Sequence, residues 1–283
     1  RHLNTDTWSR VESRNSQPGT RNPTMTSLRH SLNLSRGGVI SLVGAGGKTA
    51  LMLRLARELA GQGDRVLTTT TTKIRVPMQR PSSIVLQSES VDTLLRQARV
   101  LLRRRRHITA GRRILHFQHK LKGFNAGTID RIWQSGVFRW IIVEADGAAG
   151  RPLKAPAANE PVIPDSTRWL IATVGLSVVG KPLSPKWVLR PKIVSELTGL
   201  RSGAAVSVSA IAKLCLDQNG LLKNAPAQAR RFIFLNQADL PGSRAAGEQI
   251  TRLLTRYARK SLNGVLIGQT LYEPIVEKYN TIS

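Results

Sequence analysis

The apolar, β-branched run Val39-Ile40-Ser41-Leu42-Val43 passes through Gly44-Ala45-Gly46-Gly47 into Lys48-Thr49. A helical stripe of Met52, Leu55, Ala56 and Leu59 follows at once, and Gly61 stands where a helix stops. A strand that turns through small residues straight into a helix tightly limits the fold. A strand apolar along its whole length is buried on both faces, and parallel strands need helical crossovers to reach one another. The pattern repeats along the chain. Strand-like runs occur at 65–70, 83–86, 140–147, 169–175, 231–239 and 264–268, with helical patterns at 90–102, 193–198, 209–216 and 243–259. This alternation predicts an α/β domain with a mostly parallel sheet covered by helices on both faces. There is no internal repeat.

Ligands of such sheets bind at the carboxyl ends of the strands, which is where the chemically distinctive residues fall. The first group is Gly44, Ala45, Gly46, Gly47, Lys48 and Thr49. Small residues let backbone N–H groups turn toward a phosphate, and the helix N-terminus adds a favourable dipole. Lys48 supplies charge to the outer phosphates, and Thr49 a hydroxyl for magnesium. The full phosphate-loop pattern would need glycine at position 42, where the chain has Leu42, so the loop reads as a shortened form. A dinucleotide loop fits poorly, since Thr49 stands where its third glycine belongs. A plain strand–helix turn is the alternative.

The second group is Glu144 and Asp146 in "VEADG". Residues two apart on a strand share a side, so both carboxylates can face one ligand, hold a metal or orient an attacking water. A turn acid before Gly147 is the structural alternative. The third is "TTTTTK", whose Thr72 and Lys73 can reach a terminal phosphate if they do not simply serve a strand. The fourth, "FLNQAD", places Asn236 and Asp239 like the guanine-reading loop of GTPases, with Gln237 where lysine is usual. Asn and Asp also favour ordinary turns. Cys215 lies on an apolar helical stripe and reads as core. The five histidines form no catalytic triad.

Composition narrows the remaining possibilities. An apolar fraction of 41% over 283 residues supports a real core. No apolar run approaches the ~20 residues of a membrane helix. One cysteine excludes an internal disulfide, and no Cys/His cluster has zinc spacing, so the expected setting is reducing and cytoplasmic. The net charge of +26 raises the question of nucleic acid, and no acidic residue occurs from Arg96 to Ile129. No aromatic residues interleave that run as a base-stacking platform requires, so specific nucleic-acid binding is not expected. Residues 1–36 are polar and aperiodic and read as a disordered basic tail preceding one domain over 37–283. The start at Arg1, with Met25 shortly before the first strand, suggests upstream translation for residues 1–24.

Taken together, these strings resemble the YqeC family of selenium-dependent molybdenum hydroxylase accessory proteins. The resemblance rests on "ISLVGAGGKTALM", "VLTTTTTKI", "KLKG" at 120–123 and "VEADGAAGRPLKAPAANEPVIP", and continues through "GKPL", "RPKIVSELTGL" and "FLNQADL". It covers the chain from about Gly37 to Gly268. It implies a P-loop NTPase-like fold, binding of GTP or ATP with Mg2+, and a nucleotide-dependent role in maturing a client molybdenum hydroxylase, with selenium handling. On this reading Lys48, Glu144 and Asp146 are catalytic, and Thr49, Glu144 and Asp146 hold the metal. Arg151 and Lys154 contact substrate. A nucleotide-gated module that does not hydrolyse, and a Mur-ligase-like enzyme that activates an acid with ATP, are the other readings.

Overall fold

The structure, a computed structural model, describes residues 27–76, 84–258, 261–273 and 276–282. In chain order these form α1 (Leu28–Ser31), β1 (Gly38–Gly44), α2 (Lys48–Gly61), β2 (Val66–Thr70), β3 (Lys73–Arg75), β4 (Ile84–Gln87) and α3 (Val91–Leu101). Next come β5 (His107–Gly111), β6 (Arg113–Leu115), β7 (Lys120–Lys122), α4 (Ala126–Gln134), β8 (Trp140–Glu144), β9 (Leu153–Lys154) and β10 (Thr167–Gly175). The remainder is β11 (Val188–Leu189), α5 (Pro191–Thr198), α6 (Val208–Leu216), β12 (Arg230–Asn236), α7 (Ser243–Tyr257), β13 (Gly264–Gly268) and β14 (Val276–Thr281).

Nine strands make one sheet in the order β14-β13-β12-β10-β1-β8-β2-β5-β4. All its pairings are parallel except that of β13 with the edge strand β14. The expected α/β, P-loop NTPase-like architecture is therefore the one observed. Period-two alternation divides the core between the two faces. Val39, Val43, Ile141, Val143, Leu170 and Ile233 pack with α3, α4, α6 and α7. Their neighbours Ile40, Leu42, Ile142, Ile171, Phe232 and Phe234 pack with α1 and α2. A three-stranded sheet, in the order β3-β7-β6, adds Ile74 and Leu121 to that second cluster.

The ordered domain starts earlier than Gly37. Leu28, Leu32 and Leu34 are buried, and the Trp169 indole donates to the Leu32 carbonyl at 3.0 Å. The four-residue α1 is closed by the Ser27 side chain, which accepts from His30 N–H. The rest of the expected tail, residues 1–26, lies outside the described residues, as does Ser83 of the run at 83–86. Strand β5, short and carrying threonine, alanine and glycine, is passed over by the sequence reading yet stands inside the main sheet between β2 and β4.

His107 opens β5, and its Nε2 lies 2.9 Å from the Thr68 hydroxyl on β2. Burial pushes its imidazole down to about 4 from 6.5. The unfolded chain takes up this proton near its ordinary value, whereas the folded chain resists it until the lower one. Stability held above the unfolded value is lost as pH falls through that interval. The loss amounts to at most about 3 kcal/mol. Urea midpoints of the parent should fall further between about pH 7 and pH 4.5 than those of His107→Gln, which does not titrate. Parallel pH profiles for the two proteins would remove this assignment.

Candidate functional site

The carboxyl ends of β1, β8, β10 and β12 converge, and the glycine loop is built against β1's two neighbours, β8 and β10, and against the end of β12 beyond β10. Gly44, Gly46 and Gly47 have φ of 85°, 82° and 123°, a region that L side chains rarely adopt. Space is as restrictive as torsion. A Cβ on Gly46 would collide with the backbone of Gly175, and one on Gly47 with the Asn236 amide. Three loop amides are already engaged. Gly44 N–H donates to Asp146 Oδ2 at 3.1 Å, Ala45 N–H to the Thr173 carbonyl at 2.9 Å, and Gly46 N–H to the Arg151 carbonyl at 3.1 Å. These bonds fix the loop's shape. The helix-start amides of α2, from Gly47 onward, are left to meet an anion, because a helix's first N–H groups have no partner within the helix.

Lys48 is buried and curls back. Its Nζ donates to the Gly44 carbonyl at 2.6 Å and lies 3.1 Å from Asp146 Oδ1 and 3.7 Å from Glu144 Oε1. Thr49 donates its hydroxyl to Glu144 Oε2 at 2.7 Å. Burial pushes the Glu144 carboxyl up; the Lys48 charge and the Thr49 bond oppose that rise, and the Asp146 charge adds to it. The phosphate-type lysine, the hydroxyl beside it and both strand-end carboxylates thus form one cluster, as the spacing of Glu144 and Asp146 predicts.

The sequence reading misses what stands behind Asp146. Lys154 on β9 is wholly buried, with Nζ 2.9 Å from Asp146 Oδ2, 2.7 Å from Glu160 Oε2 and 2.8 Å from the Gly147 carbonyl. Arg190 closes the chain with paired bonds to Glu160 of 2.9 and 3.1 Å. Burial alone would raise Glu160, but the bonds and charges of Lys154 and Arg190 outweigh it and hold the carboxyl below its usual range. Lys154 therefore serves as a counter-ion inside the fold and does not face a substrate. Arg151 is turned toward carbonyls, donating to Ala149 at 2.7 Å and to Pro185 at 3.1 Å.

The remaining groups sit around this cluster. Thr71 N–H donates to the Glu144 carbonyl at 3.1 Å, and the Thr70 hydroxyl to the same atom at 2.7 Å. Thr72 N–H is bonded to the Thr70 hydroxyl at 3.0 Å. Lys73 leaves the turn as the exposed first residue of β3. Asn236 donates to the Gly46 carbonyl at 2.6 Å, while its buried Oδ1 has no hydrogen-bond partner. Gln237 adopts a φ of 68° and accepts from Ser177 N–H at 3.3 Å, so it packs beneath the turn. Asp239 is exposed beyond it.

The donor set around Thr49, Glu144 and Asp146 consists of hard oxygens, and the buried Asp146 Oδ1 already faces a cation, the Lys48 ammonium at 3.1 Å. These residues fit a small divalent cation by chemistry. Among the described residues no cluster of three or more His, Cys, Asp or Glu side chains is preassembled for a metal. A cation here would need further oxygens from a ligand or water, as magnesium on phosphates does.

The closeness of the loop to β10 gives a direct test of its construction. Gly46→Ala should destabilise the protein by at least about 2 kcal/mol through strain and overlap with Gly175. Gly61→Ala, where nothing lies near the added methyl, should be neutral or stabilise by up to ~1 kcal/mol. Thermal unfolding of both variants checks this, and equal melting temperatures would contradict it.

Comparison with known proteins agrees with the motifs. The family described as YqeC protein matches residues 40–192, from β1 through the start of α5. A protein of Escherichia coli strain K12, described as "Uncharacterized protein YqeC", is 35% identical over 209 residues, covering 71% of this chain and 77% of its own. The chain belongs to the YqeC family.

Proposed function

We propose that the site binds a nucleoside triphosphate with magnesium and that the protein is a nucleotide hydrolase. The observation that carries this reading is Lys48 drawn onto Asp146 at 3.1 Å beneath a fixed glycine loop. A lysine paired with a carboxylate can exchange it for the more highly charged oxygens of a triphosphate, which are the stronger acceptors. Asp146 does not become a bare buried charge when Lys48 leaves, because Lys154 remains on its other oxygen. Lys48 and the first amides of α2 then hold the outer phosphates. Thr49 and Asp146 hold the magnesium, with Glu144 sharing it or positioning a water. The metal supplies charge neutralisation on the phosphate oxygens.

The base would lie on the turns after β12 and β13. Ala238 N–H donates to the Gly268 carbonyl at 3.0 Å, which joins these turns. Leu240, Leu271 and Tyr272 leave 40%, 72% and 67% of their surface exposed there, an unusual amount of apolar face around one corner. Asp239 would accept the paired N–H groups of guanine, which favours GTP modestly over ATP. The resemblance of the motif strings extends the proposal to an accessory role in the maturation of a client molybdenum hydroxylase, including selenium handling.

Calorimetry with GTP and ATP, with and without magnesium, tests the reading. Lys48→Ala should weaken triphosphate binding tenfold to a few hundredfold, the worth of a charge-assisted contact of ~1.5–3 kcal/mol. Asp146→Asn should abolish the magnesium dependence of the affinity while leaving the far-ultraviolet circular dichroism unchanged. Asp239→Ala should weaken GTP and leave ATP nearly untouched. An absence of triphosphate binding by the parent protein would overturn the proposal, and GTP and ATP affinities that are equal and unchanged in Asp239→Ala would remove the base assignment alone.

A further inference from the structure

The small sheet carries an arrangement that stability alone does not favour. Register places Lys73 opposite Lys122 and Lys122 opposite Arg113, and the next outward-facing row sets Arg75 opposite Lys120. Between these rows, Ile74, Leu121 and Ile114 lie side by side and pack on the α2 side of the core. Since successive side chains alternate, all five cations occupy the opposite face. Like charges directly opposite one another on a sheet destabilise it. Among the described residues no acidic group forms an ion pair with any of the five. Leu115 shares their face, and the connection from β6 to β7 presents Phe117 fully exposed at its tip.

The position is as telling as the charge. Strand β3 starts two residues after Thr71, whose amide is bonded to the Glu144 carbonyl, and two residues span at most ~7 Å. Gly123, just beyond Lys122, packs so closely on Thr70 that a Cβ there would collide with the Thr70 carbonyl. The cationic face therefore starts at the rim of the strand-end cluster and is braced against it.

We propose that this face is a docking surface for an acidic segment of a partner protein. Charge complementarity selects an anion. The apolar pair Leu115 and Phe117 beside arginine and lysine has the make-up of a protein interface, with an aromatic anchor and a charged surround. Successive aromatic rings for stacking bases are lacking on this face, which argues against single-stranded nucleic acid. A partner seated here would lie beside the strand-end cluster, so it can sense or control what that cluster holds. The surface itself does not depend on a bound nucleotide.

The test uses the nucleotide-free full chain and a fluorescein-labelled deca-glutamate peptide, followed by anisotropy at low and raised salt. The triple variant Lys73→Glu, Arg113→Glu, Lys122→Glu should weaken binding at least about tenfold. The corresponding Gln triple variant guards against misfolding and should also weaken it. Reversal of Arg103, Arg104 and Arg105, exposed after α3 and away from this face, should change it less than about twofold. Phe117→Ser should lower the part of the affinity that survives raised salt. Equal losses for the two reversal sets, or unchanged binding by the Gln triple variant, would overturn the proposal. So would tighter, Phe117-dependent binding of a ten-residue oligo-dT, which would make the surface a nucleic-acid site.

Discussion

The Asp146 carboxylate is the point on which the site's geometry turns. It takes Lys48 on one oxygen, and on the other Lys154 together with the Gly44 amide. Three chain segments with little else in common are thereby held at one spot: the glycine loop, the start of α2 and the short strand β9. A buried carboxylate with a single lysine would make that lysine immovable, because withdrawing it would strand a charge in a low-dielectric interior. Two lysines change this. One can leave while the other keeps the charge balanced, so the arrangement is both stable and able to move.

The network behind it explains the long proline-rich connection after β8. Lys154 could not be buried alone, and Glu160 supplies a second carboxylate that Arg190 in turn pairs. The result is an alternating row of charges from the centre of the sheet to the N-terminus of α5. Each ion is satisfied by its neighbours, which a buried ionic chain requires if it is not to cost more than it contributes. Rigidity at Asp146 thus derives from residues up to forty-odd positions away along the chain.

Seven of the nine strands of the main sheet were readable because they are apolar runs between striped helices. Strand β5 and the edge strand β14 carry too few apolar residues in sequence to stand out. Phosphate-type residues were readable because chemistry at a strand end uses few residue types in short strings, as Lys48-Thr49 and Glu144–Asp146 do. What escaped has physical reasons. The strands β3, β6 and β7 are three residues each, and their lysines and arginines look like a solvated run until register shows isoleucine and leucine between them. Helix α1 is too short for periodicity, and its burial depends on Trp169, far along the chain. Lys154 reads as a substrate contact in sequence, since no local string shows that Asp146 and Glu160 enclose it inside the fold. The engagement of the Gly44, Ala45 and Gly46 amides by Asp146, Thr173 and Arg151 follows from sheet order, which no local string encodes.

The central place of β1 has a consequence for how the protein is made. The strand that carries the glycine loop is the second element of the domain, yet its neighbours are β8 and β10, and the bonds that join it to them span 102 and 130 residues. During synthesis, β1 emerges early and stays unpaired on both sides until Trp140 to Gly175 have followed it out of the ribosome. An apolar strand with two open edges is a hazard for that whole interval. Helix α2, contiguous with it, can cover one face in the meantime. The loop itself cannot take shape before β10 arrives, because Thr173 and Gly175 form the wall it folds against. The site therefore matures late, and nascent chains shorter than this are without it.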